Sequence, residues 1–206
     1  MLKGNNRIIV TAVIGIILLV GANFIFNSDD GFISSSNSME GPKAVIETDF
    51  GNIVIQLYAD AAPGHVDNFV QLAGQGYYDG TTFHRIIPGF MIQGGDPNSR
   101  NEDRRTHGMG GHSAKGPNTV VNAEFSQTLK HNRGMLSMAR SQDINSAGSQ
   151  FFIVVADSHF LDGQYSIFGE VVEGMDVVDK IVSMPRDGND NPHDRVVMNK
   201  VSIISE

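Results

Sequence analysis

Short β-branched runs, each cut off by glycine, constrain this chain more than any other feature. Ala44–Thr48 and Asn52–Tyr58 flank the turn signal Asp49-Phe50-Gly51 and predict a hairpin. Thr81–Ile87 and Phe90–Gln93 flank Pro88-Gly89, and Gly134–Ala139, Phe151–Val155, Ile167–Val172 and Val196–Ile204 add further strands. Only two segments carry helical spacing. One follows Ala62-Pro63 through His65, Val66, Phe69, Val70 and Leu72 and stops at Gly74 or Gly76; the other is Gly174–Met184. Seven or eight short strands with two helices predict a mainly β fold, a closed antiparallel β-barrel with a helix over each open end.

The 23 glycines favour such a turn-rich β architecture over a helical bundle. The absence of cysteine excludes a disulfide framework, a thiol nucleophile, a thiolate metal site and a lipidated cysteine. The net charge of −8 argues against a nucleic-acid binder. Three basic residues (Lys3, Arg7, Lys43) and three acidic ones (Asp29, Asp30, Glu40) cancel before residue 44, so the whole imbalance belongs to residues 44–206.

The N-terminal part is different in kind. Ile8–Phe26 holds no charge and, as a helix, spans roughly 28 Å, close to the hydrocarbon thickness of a bilayer. Lys3 and Arg7 precede it and Asp29 and Asp30 come after it, which orients the remainder outside the cytoplasm. The expected organisation is a cytoplasmic N-terminus (1–7), a single transmembrane signal anchor (8–26), a flexible linker rich in Ser, Asn, Asp and Gly (27–43) and one extracytoplasmic domain (44–206). The alternatives are a signal peptide with apolar region Ile8–Val20, whose cleavage leaves a secreted or periplasmic domain, and a buried core helix.

Seven histidines raise the question of a metal. His107 and His112 flank glycines in the long polar loop 94–119 with no third ligand nearby, so no metal is expected; His65 and His193 are expected at the surface. The serines lack a nucleophile elbow. The segment Phe83-His-Arg-Ile-Ile-Pro-Gly-Phe-Met-Ile-Gln-Gly-Gly-Asp96 stands out because it places one arginine, which cannot shed its charge, in an apolar hairpin. Taken alone, Arg85 reads as an edge residue reaching solvent or an acid such as Asp96.

With Gly134-Met-Leu-Ser-Met-Ala-Arg140, Ser146-Ala-Gly-Ser-Gln-Phe-Phe-Ile153 and Phe160-Leu-Asp-Gly-Gln-Tyr-Ser-Ile-Phe-Gly169, this segment resembles the cyclophilin family of peptidyl-prolyl cis–trans isomerases, from about Ala44 to Ile204. The resemblance implies an eight-stranded barrel with two capping helices, no cofactor, a monomer, and proline-containing polypeptides as substrates. It implies that Arg85 is the catalytic arginine, oriented with the substrate by Gln93, and that Phe90, Met91, Phe152 and Leu161 receive the proline ring. Ala139, Arg140 and Gln150 then line the adjoining groove, and His131 lies outside the catalytic centre. Phe160, Tyr165 and Arg140 stand where many members have tryptophan, histidine and asparagine. Phe160 brings no indole N–H, which implies weakened binding of cyclosporin-type inhibitors.

The implied site carries a geometric condition. Alternation along a strand puts Arg85 on the face of Met91 and Gln93 only if the hairpin pairs residue 85 with an odd-numbered partner. The competing functional readings are a non-catalytic binding module or holding chaperone using the same groove, and a structural role in a membrane complex.

Overall fold

The computed structural model describes residues 41–204. The apolar run 8–26, with the anchor or signal read from it, lies outside the described residues; among the described residues no helix is long and apolar enough to cross a membrane. The described residues form eight strands and two α-helices: β1 Lys43–Thr48, β2 Gly51–Leu57, α1 Pro63–Gly74, β3 Arg85–Ile87, β4 Met91–Gly94, β5 Met135–Met138, β6 Phe151–Val154, β7 Ile167–Glu173, α2 Met175–Val182 and β8 Met198–Ile204. They form one antiparallel sheet in the order β3-β4-β6-β5-β7-β2-β1-β8.

The sheet is curled but open, which corrects the expectation of a closed barrel. Its edges are β3 and β8. The expected strand over Thr81–Ile87 shrinks to three residues, and the chain meets β8 before β3 begins, through the single pair Thr82↔Val197 and a few backbone hydrogen bonds around it. A seam one residue pair wide is a crossing of chain ends and not a ladder.

α1 packs against β7 and β8, and α2 against β2, β3 and β4. Pro63 sits in the first turn of α1, where its missing N–H is not needed. The free amides of Gly64 and His65 are taken by the Glu124 carboxylate at 3.0 Å each, a cap supplied from a distant loop. Inward-facing Phe69 stacks on Tyr78 at 5.0 Å and meets Phe151 and Phe168 at 5.6 Å each, which ties α1 to β6 and β7. Gly174, at φ 91°, lets the chain turn from β7 into α2 against β2; a Cβ there would lie 2.2 Å from the Asn52 carbonyl oxygen.

His65 corrects a second expectation. It shares the inner face of α1 with Phe69 and Leu72 and is fully buried, whereas His193 is exposed as expected. His84 is buried too. Neither ring nitrogen of either histidine has a hydrogen-bond partner, although the Thr82 backbone lies close enough to His84 to favour its charged form. Burial pushes both pKa values down, to about 4 for His84. An imidazole that stays neutral in the folded chain is protonated in the unfolded chain below its ordinary value near 6.5. Stability is therefore full above that value and falls as the pH drops from 6.5 toward 4, by about 3 kcal/mol for His84 alone. Thermal midpoints recorded from pH 8 to 4 are expected to hold level to about 7 and then decline, before carboxylates titrate; a level profile down to pH 4 would contradict the neutral, buried state of these rings.

Candidate active site

The site begins with a loop of odd length. Between β3 and β4 only Pro88, Gly89 and Phe90 intervene, with Gly89 at φ +74° and the Phe90 amide donating to the Ile87 carbonyl at 3.0 Å. Pairing then runs Ile87↔Met91, Ile86↔Ile92 and Arg85↔Gln93, which meets the condition set by the sequence. The neighbouring ladders continue the row: Gln93↔Phe152 and Phe152↔Ser137. Arg85, Gln93, Phe152 and Ser137 thus lie side by side across four strands on one face. The next row, Ile86, Ile92, Ile153 and Leu136, faces the main core.

The first face carries a small apolar cluster of its own. Met91, Phe152, Val154 and Leu161 are buried there, with Ile87, Phe90, Ala139 and Tyr165 packed against them. The cluster floors a groove of about 350 Å³. Ten of the eleven residues expected at the site line it: Arg85, Phe90, Met91, Gln93, Ala139, Arg140, Phe152, Phe160, Leu161 and Tyr165. The eleventh, Gln150, lines an adjoining cavity that shares Gln93, Ala139 and Arg140 with the groove. Phe160 stands at the rim, 67% exposed, its ring 5.4 Å from that of Phe90. Tyr165 meets Phe152 edge-on at 5.9 Å, and the Arg140 guanidinium lies 4.5 Å from the Tyr165 ring centre.

Arg85 does not pair with Asp96. That carboxylate is buried and accepts from the amides of Asn98 and Gly108. Arg85 Nη1 instead donates to Gln93 Oε1 at 3.2 Å, Gln93 Nε2 donates to Gln150 Oε1 at 2.9 Å, and Gln150 Nε2 donates to the carbonyls of Gly108 and Gly110 at 3.0 and 2.8 Å. Each amide accepts on one side and donates on the other, so the chain has a fixed polarity that ends on backbone. The long loop 94–119, featureless in sequence, supplies that end. It contains two short 3₁₀ turns, Pro97–Arg100 and Arg104–Thr106, and its Gly108–Gly111 segment walls the cavity beside Gln150.

Behind the groove, the buried ring of His131 lies nearly parallel to Phe152, 6.2 Å away. Its Nδ1 is 3.0 Å from Asp162 Oδ1 and its Nε2 is 3.1 Å from Ser137 Oγ, which donates to the Ser166 carbonyl at 3.0 Å. Burial lowers the His131 pKa and outweighs Asp162, which pulls it upward. A neutral ring donates from one nitrogen only, and the contacts to Asp162 and Ser137 hold it in place beside Phe152. No group of three or more His, Asp or Glu able to hold a metal occurs among the described residues.

Residues 43–203 match the model of the cyclophilin type peptidyl-prolyl cis-trans isomerase family. This chain belongs to the cyclophilins. Relatives include a peptidyl-prolyl cis-trans isomerase of Arabidopsis thaliana, 43% identical over 77% of this chain and 93% of its own length. One from Acinetobacter baylyi is 38% identical over 85% and 89%. A cyclophilin of Cryptosporidium parvum, solved in the presence of the dipeptide Ala-Pro, superposes with a TM-score of 0.72 at 35% identity, covering 80% of this chain and 99% of that one. This cyclophilin is accordingly a peptidyl-prolyl cis–trans isomerase.

The amide relay makes a sharp prediction for this cyclophilin. Gln150→Leu removes the acceptor that holds Gln93 and is expected to lower kcat/KM about tenfold through misplacement of Arg85. Gln150→Glu keeps that acceptor but turns a carboxylate oxygen onto the Gly108 and Gly110 carbonyls, and is expected to lose more. A prolyl-peptide assay on both variants checks the order; equal activity in all three proteins would show that the relay does not position the arginine.

Proposed function

We propose that Arg85 drives rotation about X-Pro bonds by stabilising the twisted amide, on exported proteins outside the cytoplasm. The observation that carries the reading is the row Arg85–Gln93–Phe152: a guanidinium held at the lip of an apolar groove by a side chain of its own sheet.

The physical demand is simple. A planar amide resists twisting with a barrier of about 18–20 kcal/mol because the nitrogen lone pair is delocalised into the carbonyl. X-Pro bonds have cis and trans close in energy yet exchange over roughly 10–100 s. At the twisted state conjugation is lost and the lone pair localises on the prolyl nitrogen. A donor aimed there stabilises the twisted state more than either planar one, and only such differential binding lowers a barrier. Phe90, Met91, Phe152 and Leu161 hold the ring, while Gln93 restrains the flanking peptide and fixes the donor. No bond breaks, so the reaction calls for no nucleophile.

Arg85→Ala is expected to lower kcat/KM by about 10²- to 10³-fold, the usual loss for one preorganised charge-stabilising donor. The thermal midpoint should barely move, because Arg85 is exposed and makes one side-chain hydrogen bond. Undiminished turnover by the variant, in a prolyl-peptide assay, would remove Arg85 from the mechanism.

The extracytoplasmic setting is supported by the uncharged run Ile8–Phe26, with basic residues before it and acidic ones after it. Protease added to intact cells with a permeable outer envelope should digest the domain, and fractionation should find it with membranes. Full protection until lysis would overturn the orientation, and recovery in the soluble exported fraction would favour cleavage over anchoring.

A further inference from the structure

Arg85 and Gln93 also border a second cavity, of about 520 Å³, which shares only these two residues with the proline groove. Its walls come from the 104–108 segment and the 187–191 loop. They are braced: the Arg104 guanidinium donates to the carbonyls of Pro192 and His193, and Asn191 Nδ2 lies 3.0 Å from His107 Nδ1, whose other nitrogen lies 2.9 Å from the Asn101 carbonyl. Such walls are a preformed recess and not the accidental gap between two loops.

Its charge runs against that of the molecule. Three arginines, Arg85, Arg104 and Arg105, line it against one carboxylate, Asp187, in a protein whose net charge is −8. Asp187 lies 4.0 Å from Arg104 and Asp103 lies 2.8 Å from Arg105, so two of the three are offset and Arg85, whose side chain bonds only the neutral Gln93, is left uncompensated. Arg105 is 88% exposed and gives Nε and Nη2 to Asp103, which leaves Nη1 free. His84 also lines the cavity, 96% buried, with neither ring nitrogen bonded.

We propose that this cavity is a specificity subsite that takes the carboxylate of an aspartate or glutamate flanking the substrate proline. It rests on the isomerase reading, because Arg85 and Gln93 join the recess to the groove where the proline sits. Carboxylate suits the lining better than ammonium, since the guanidinium N–H groups are donors and Asp187 already has an arginine beside it.

The test uses the full-length protein and a series of short alanine-rich proline peptides. Glutamate, glutamine or lysine is placed one or two residues before or after the proline. Turnover is measured at low ionic strength and again at about 1 M salt, where the screening length is near 3 Å. At one position glutamate should exceed lysine in kcat/KM by about two- to fivefold, the scale of one exposed ion pair. Glutamine should fall between them, and high salt should erase the difference. Arg105→Glu should collapse or invert the glutamate-to-lysine ratio. Lysine equal or superior at every position, as the overall charge alone predicts, would overturn the proposal, and so would a ratio unchanged in Arg105→Glu. Peptide binding by fluorescence anisotropy repeats the comparison without turnover. Failure to turn over any peptide would therefore defeat the isomerase reading while the binding ratio still decides the subsite.

Discussion

The register of one three-residue hairpin loop governs this molecule. Pro88-Gly89-Phe90 pairs Arg85 with Gln93, and because strand side chains alternate, this choice sends Ile86 and Ile92 into the core and Arg85, Met91 and Gln93 to the opposite face. A loop one residue longer or shorter would bury the guanidinium beside Ile92, Ile153 and Leu136 and turn Ile86 to the groove. The penalty for an unpaired buried arginine makes that alternative untenable. The same constraint explains why an arginine can sit in so apolar a hairpin: it is never inside it.

The open sheet obeys the same logic. A closed barrel with a dry interior uses one face for packing and leaves the other to solvent. Here the strands β4, β6 and β5 are covered on both faces, by the main core on one and by the Met91–Phe152–Val154–Leu161 cluster on the other. That is why β6 reads Phe151-Phe152-Ile153-Val154, buried throughout, without the alternation expected of a barrel wall. The continuous apolar run in sequence is the imprint of the binding groove.

Much of this is legible in the sequence because it is local. Hairpin turns, the proline at the start of α1 and the amphipathic stripe of α2 each occupy one stretch of chain, and all eight strands fall on segments that read as strands. The groove residues are legible through the four segments that resemble the cyclophilins. What stays hidden depends on distant partners. Glu124 caps α1 from some sixty residues away. His65 reads as a surface residue because a helix reveals its inner face only through neighbours, and here Phe69 and Leu72 are the signal. The barrel reads as closed because strand count does not say whether the two edge strands, β3 and β8, meet in register. The loop 94–119 gives no pattern at all, since its contribution is made by backbone carbonyls of Gly108 and Gly110, which every residue type possesses.

That silence of the loop bears on how the catalytic geometry is held. A guanidinium on a long flexible stem is a poor reference point, and its placement must be inherited from something stiffer. Here it is inherited through two amides whose donor and acceptor ends cannot be exchanged without breaking the line to Gly108 and Gly110. The two ends of the line differ in kind: one is a charged group at the mouth of a groove, the other the backbone of a glycine segment. Gly110 has no room for a side chain, since a Cβ there would lie 2.5 Å from Asp96 Oδ1, the same carboxylate that orders the turn at Asn98. The buried Asp96, which the sequence offers as a direct partner for Arg85, therefore acts on it from the far end of the relay, by fixing the loop on which the amides are anchored.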